Sequence, residues 1–220
     1  MYQHQWHTGE AINLPTGKIV CIGRNYAAHA QELNNPIPSQ PILFIKPSIC
    51  LQPFKEITLA KRLGEHHYEA ELALLIGETI SYGDEDVLTK IAGVGLALDL
   101  TLRDVQSELK SKGHPWERAK AYDGSCPVTS FYPLKSPTEL ASAEYKYWQN
   151  GALKQHGKTE LMLFNIERLL TEISESFTLV PGDIVLTGTP EGVGVLNHGD
   201  ELQLQYQKQA PLNARVVLKP

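Results

Sequence analysis

Long apolar runs are missing from this 220-residue chain. No stretch approaches the ~18 residues that a membrane-spanning helix needs, and the opening MYQHQWHTGEAINLPTG has neither the basic start nor the apolar core of a secretory signal. A membrane partner is therefore not expected, and the cytoplasm is the expected compartment. Cysteine is scarce: Cys21, Cys50 and Cys126 are odd in number, far apart and never in a CxxC pair, which excludes a disulfide framework and a thiolate metal site and leaves three buried thiols. Clustered basic charge is absent too. Twenty Lys and Arg stand against twenty-five Asp and Glu, and no basic run exceeds Lys61-Arg62, so no phosphate-tracking surface and no nucleic-acid partner are expected. With no repeat, low-complexity tract or compositional break to mark a linker, residues 1–220 read as one domain.

What is present is an ordinary globular composition, 42% hydrophobic, in which 17 Gly and 14 Pro imply many turns. KIVCIGRNY (18–26) reads as a strand, AAHAQEL (27–33) as a short helix, NNPIPSQP (34–41) as a loop and ILFIK as a strand. DEDVLTKIA (84–92) predicts a helix ended by Gly93. GVGLALDL (93–100) predicts a strand, followed by a helix capped by Thr101, with Asp104 three residues on and Gly113 at its stop. Leu163, Ile166, Leu169, Leu170 and Ile173 mark an amphipathic helix within 160–176. LVPGDIVLTGTP (179–190) is a turn and a buried strand, and DELQLQYQ (200–207) alternates like a half-exposed strand. Strands outnumber helices without alternating with them, which predicts a β-rich α+β fold rather than a doubly wound sheet.

The segment HHYEAELALLIG (66–77) poses the chemical question. In an extended chain Glu69 and Glu71 project from one face with roughly 6.6 Å of rise between them, on a strand whose remaining positions are apolar on both faces. Two carboxylates so placed repel by about 2 kcal/mol at an effective dielectric of 20, and desolvation adds to that. Asp99, in GLALDLTLRD at the end of another buried strand, is a third acid. Together they would form a hard all-oxygen site suited to Mg2+ or Mn2+. The alternative is an edge strand whose glutamates face water, with Asp99 capping the next helix. His66 and His67 raise a histidine-carboxylate iron site, disfavoured because adjacent strand residues point to opposite faces.

Three further groups carry chemistry. His29 and Glu32 fall on one helix face, where a carboxylate can orient an imidazole as a general base; a solvated surface pair is the alternative. Lys120, in PWERAKAYDGSCPV, is placed to hold a substrate oxygen or, if desolvated, to act as a nucleophile, unless it is a surface lysine. LTGTPEGVG (186–194) is a glycine-rich turn whose amides and Thr189 hydroxyl could grip an anion, although it lacks the Lys-Ser/Thr ending of a P-loop.

In order, VCIGRNYAAHAQE, PILFIKPS, HYEAELALLIG, ALDLTLRDVQ, AKAYDGSCPV, PGDIVLTGTPEGVG and GDELQLQY resemble the fumarylacetoacetate hydrolase family, in particular its short acylpyruvase branch, over residues 18–206, with 1–17 as an N-terminal extension. The resemblance implies a mixed β-roll, dimeric, holding one Mg2+ on the positions of Glu69, Glu71 and Asp99. It implies that His29 and Glu32 activate water, that Lys120 contacts substrate, and that Arg103, Gln106 and Thr189 are substrate contacts. Leu102 departs from the small residue that many members carry there. The expected activity is hydrolysis of a C–C bond in an acylpyruvate, a 2,4-diketo acid, to pyruvate and a carboxylic acid. The alternatives are oxaloacetate decarboxylation, isomerisation or decarboxylation of dienoic diacids from aromatic catabolism, and a ligand-binding scaffold without catalysis.

Overall fold

In the computed structural model, which describes residues 2–220, the strand Ala70–Ile76 is buried at all seven positions and lies near the middle of an eight-stranded mixed sheet. Along that sheet the order is Ile42–Lys46, Ile19–Gly23, Ile184–Leu186, Ala70–Ile76, Ile91–Leu98, Cys126–Val128 and Leu51–Pro53, with Tyr132–Pro133 also pairing to Ile91–Leu98. Two-sided burial explains why HHYEAELALLIG does not alternate. Leu72, Leu74 and Ile76 join a large core with Tyr145, Leu204 and Val216. Ala73 and Leu75 join a second core with Ile19, Cys21, Cys126 and Phe131. The fold is β-rich with few short helices, as the pattern of elements predicts.

A five-stranded sheet, in the order Ala152–Lys158, Glu144–Gln149, Glu201–Tyr206, Leu212–Lys219 and Glu56–Ala60, supplies residues to the larger core. The helix α4, Ile166–Ser176, adds Leu169, Leu170 and Ile173 to it. A third, three-stranded sheet joins Gly194–Leu196, His66–Tyr68 and Thr101–Leu102. The N-terminal segment packs on the far side, where Ile12 enters the second core and Trp6 bridges Phe131. All three cysteines are free and buried.

Four local expectations are corrected. The helix expected over 84–92 is a single tight turn, Val87–Lys90, that follows Asp86 in a left-handed conformation (φ 52°), and Ile91 and Ala92 already belong to the strand. Gly93 is no helix stop. A Cβ there would meet Trp6 Cζ3 at 2.8 Å and the Tyr132 carbonyl at 2.9 Å, so its missing side chain lets another segment approach. Thr101 does not cap the next helix, because pairing with His67 holds it extended and its hydroxyl donates to the Asp99 carbonyl; the helix runs Arg103–Ser111 after Leu102. The helix expected within 160–176 begins only at Ile166, where Asn165 Oδ1 accepts the Arg168 amide at 2.9 Å. Lastly, 66–77 is two strands rather than one. Its first part pairs in the three-stranded sheet and its second in the main sheet, and Glu69 sits at the break.

Candidate active site

Register creates the acidic cluster. Ala70 pairs with Leu98 and Glu71 with Ala97, so the next step along the antiparallel pair brings Asp99 beside Glu69, and the Asp99 amide donates to the Glu69 carbonyl at 2.8 Å. Glu69, Glu71 and Asp99 are 5%, 1% and 1% exposed, which removes the water-facing edge-strand alternative. One oxygen of each lies within 4.8 Å of the others. Among the described residues no other group of His, Cys, Asp and Glu is gathered this way, and His66 is instead bonded to the Tyr122 hydroxyl (2.9 Å) and the Ala60 carbonyl (3.1 Å).

Three cations pair with two of the acids, Glu69 and Asp99. Lys120, at the end of the short helix α3 (Glu117–Lys120), donates to Glu69 Oε2 at 2.8 Å and to Asp99 Oδ2 at 2.6 Å. Arg103, at the start of α2 (Arg103–Ser111), donates to Glu69 Oε1 and, at 2.8 Å, to Gln106 Oε1. The third is a lysine at the end of the strand ILFIK. Lys46 Nζ lies 2.8 Å from Asp99 Oδ1 but directs its protons at the carbonyls of Leu100 (3.1 Å), Lys120 and Ser125 (3.0 Å). Among the described residues Asp99 Oδ1 is thus buried without a hydrogen bond. That orphaned oxygen, with carboxylate oxygens converging from Glu69 and Glu71, fits a hard divalent cation, and the triad can bind one.

The electrostatics separate the acids. Burial opposes ionisation of Glu69, but Lys120, Arg103 and His29 outweigh it and hold that carboxyl well below its usual range. Burial, Asp99 and Glu69 push Glu71 well above its usual range, and Lys120 and the Gly188 amide do not compensate. Burial disfavours the Lys120 ammonium, yet Asp99 and Glu69 override it and raise the group above the normal lysine range. A desolvated neutral lysine nucleophile is therefore not what this setting makes.

His29 and Glu32 lie on α1, Ala27–Glu32, with His29 Nδ1 3.3 Å from Glu32 Oε2. The imidazole is buried and lines the cleft. Donation from Nδ1 to the carboxylate leaves the Nε2 lone pair as the basic position. Glu32 Oε1 accepts the Gly192 amide at 3.0 Å. The amides of the glycine-rich turn are taken by the protein's own carboxyl groups: Gly192 holds Glu32 and Gly188 holds Glu71 Oε2. Thr189 lines the cleft while its hydroxyl donates to the Ala70 carbonyl at 2.9 Å and accepts from Gln155 Nε2 at 2.8 Å.

One cleft thus brings together Glu69, Glu71, Asp99, His29, Lys120, Arg103, Gln106 and Thr189, with Glu32 behind His29 and with Phe44 and Trp116 as apolar wall. Lys46 was not expected from the sequence. Its signal was there: a lone lysine ending a five-residue strand that is otherwise apolar. Arg24 and Lys110, also in the lining, carried no such mark.

Known proteins share this arrangement of chain. The oxaloacetate tautomerase YcgM of Escherichia coli (strain K12) is 43% identical over 220 residues, covering 99% of this chain and 100% of the relative. A mitochondrial oxaloacetate decarboxylase of Dictyostelium discoideum is 40% identical over 201 residues, 90% of this chain and 89% of its own. The crystal structure of fumarylpyruvate hydrolase from Pseudomonas aeruginosa in complex with Mn2+ and pyruvate superposes with a TM-score of 0.90 at 31% identity, covering 99% of this chain and 96% of the other. The sequence model of the fumarylacetoacetate (FAA) hydrolase C-terminal domain matches residues 18–217, and with relatives at this identity across nearly the whole chain, the protein belongs to the fumarylacetoacetate hydrolase family.

Proposed function

We propose that the protein is an oxaloacetate tautomerase, interconverting the keto and enol forms of this 2-keto diacid. The observation that carries the reading is one cleft holding both a buried three-carboxylate cluster and a carboxylate-backed imidazole. Similarity to a tautomerase across nearly the whole chain directs that machinery to oxaloacetate, ahead of the acylpyruvate hydrolysis that the sequence motifs alone favour. Glu69, Glu71 and Asp99 would hold Mg2+ or Mn2+, which supplies a Lewis acid that makes the protons beside a keto group more acidic.

The chain's own groups then move one proton. His29 takes it from C3 at Nε2, and Glu32 stabilises the imidazolium that results. The C3–H electron pair becomes the C2–C3 double bond, and the carbonyl pair moves onto the C2 oxygen. Lys120, kept as an ammonium by its acidic neighbours, faces the negative charge that develops there, and Arg103 with Gln106 orients the adjacent carboxylate. Return of the proton from His29 to the C2 oxygen completes the enol, so atoms balance without a co-reactant. A homodimeric cytoplasmic enzyme, with 1–220 as one catalytic domain, belongs to the same proposal.

Acylpyruvate hydrolysis is retained as a second reading because the fumarylpyruvate hydrolase shares the fold and the same imidazole could activate water instead. The test follows the decay of oxaloacetate enol absorbance with and without protein and divalent cation, beside acetylpyruvate and fumarylpyruvate cleavage. Acceleration of enol decay, reduced on the order of 10²-fold or more in His29→Ala, supports the tautomerase. Cleavage of acylpyruvates without enol decay replaces it with the hydrolase.

A further inference from the structure

The cleft contains more positive charge than its acids use. Lys46, Lys120 and Arg103 are ion-paired with Glu69 and Asp99, Glu71 is held instead by the Gly188 amide, and among the described residues no fourth carboxylate lines the cavity. Arg24 and Lys110 line it as well and stand outside this balance. Among the described residues the Arg24 guanidinium has no ion-pair or hydrogen-bond partner, and the Lys110 ammonium bonds only the Asn35 Oδ1, a neutral acceptor, at 3.0 Å. Their mutual repulsion registers on Lys110: burial first, then Arg24 and Arg103, depress its affinity for a proton. A divalent cation on the triad would add to the excess.

Arg24 is also held where it stands by its neighbours. Its backbone adopts φ 61°, a left-handed conformation that non-glycine residues rarely keep without support from their surroundings. That support comes from Asn25, whose side chain donates to the carbonyls of Thr187 (2.8 Å) and Phe164 (3.1 Å) and accepts the Phe164 amide (2.8 Å). The adjoining Asn25 side chain is fixed by three bonds and, among the described residues, the Arg24 guanidinium by none, an arrangement suited to meeting a ligand rather than to holding the fold.

We propose that Arg24 and Lys110 form a distal-acid subsite that recognises the second carboxylate of a 2-keto diacid whose keto-acid end lies at the triad. The subsite deepens the tautomerase reading and rests on it for the placement of the keto-acid end. It selects diacids such as oxaloacetate over monoacids of equal length, because an unpaired guanidinium and ammonium gain charge-assisted hydrogen bonds only from the charged ligand.

The test compares oxaloacetate with its C4 monoamide, nearly the same shape without the distal charge, by the shift each gives to the unfolding midpoint of the Mn2+-loaded protein. The wild type should bind the diacid about tenfold or more tightly than the amide; Arg24→Met should bring that ratio toward one, and Lys110→Met should reduce it about threefold. Lys110→Glu, at an exposed helical position, should favour the amide and carries the test if Arg24→Met does not fold. Equal binding of both ligands by the wild type, or variants that weaken both ligands alike, would overturn the subsite. Oxaloacetate enolisation is measured separately: a preserved diacid preference without enolisation removes the tautomerase reading and leaves the subsite standing.

Discussion

The Gly188 amide donates to Glu71 Oε2 across 2.6 Å, which ties the glycine-rich turn to one of the three carboxylates of the cluster. Gly188 has φ 96°, and a Cβ there would come within 2.6 Å of the Asn25 Cβ, on a side chain already fixed by its own hydrogen bonds. Gly188→Ala therefore strains the backbone and shifts the donor from Glu71. We expect a loss of roughly 1–3 kcal/mol in stability, read as a lower urea midpoint, together with weaker Mn2+ binding. Unchanged Mn2+ affinity in a destabilised variant would show that the amide is irrelevant to the cluster.

Lys46 yields a prediction with an unusual sign. Its ammonium is fully buried, beside Asp99 Oδ1 and against the carbonyls of Leu100, Lys120 and Ser125, so Lys46→Met leaves a buried carboxylate short of a counter-charge. Breaking a buried pair in this way costs about 3–5 kcal/mol. A divalent cation restores positive charge to the same cluster, so Mn2+ should raise the melting temperature of Lys46→Met by more than it raises that of the wild type. Scanning calorimetry with Mn2+ and with EDTA checks this, and an equal or smaller rise in the variant refutes it.

One part of the pH dependence of stability comes from His4. His4 is fully buried and its Nε2 faces the Gly182 carbonyl at 3.1 Å. Burial lowers its pKa from the ordinary 6.5, and the Gly182 and Pro15 backbones only partly offset this. Above that value both folded and unfolded chains carry a neutral His4. As pH falls below it, the unfolded chain takes up the proton first, so the stabilising contribution is fully present above the unfolded pKa and is lost toward the lower folded one. Glu71, raised in the fold, acts in the opposite sense, so the informative quantity is a difference. Between pH 7 and about 5 the urea midpoint of wild type should fall more than that of His4→Gln; parallel slopes would mean that His4 accepts its proton inside the fold.

Local chemistry explains what the sequence could disclose. Glu69, Glu71 and Asp99 were legible because charge in a two-sided apolar strand demands an answer, and the 3-residue spacing of His29 and Glu32 forces them onto one face. Helix ends were less so: Thr101 and Gly93 have the residue types of a cap and a stop, yet pairing with His67 and the approach of Trp6 decide their roles. Arg24 and Lys110 were invisible because their significance is a charge balance between segments far apart in the chain.

Glu32 offers the sharpest separation of base chemistry from metal chemistry. One carboxylate oxygen takes the His29 Nδ1 proton and the other takes the Gly192 amide, so both acceptors are in use. Glu32→Gln keeps the shape but supplies a single acceptor oxygen and no charge. Either the imidazole or the glycine amide loses its partner, and the imidazolium formed during proton abstraction loses its stabilising anion. Enolisation of oxaloacetate should slow about 10- to 100-fold in kcat. Mn2+ affinity, set by carboxylates that Glu32 does not touch, should stay within about twofold, since substitutions outside a shared network act independently. Equal losses in rate and in metal binding would place Glu32 in the scaffold of the cluster instead of behind the base.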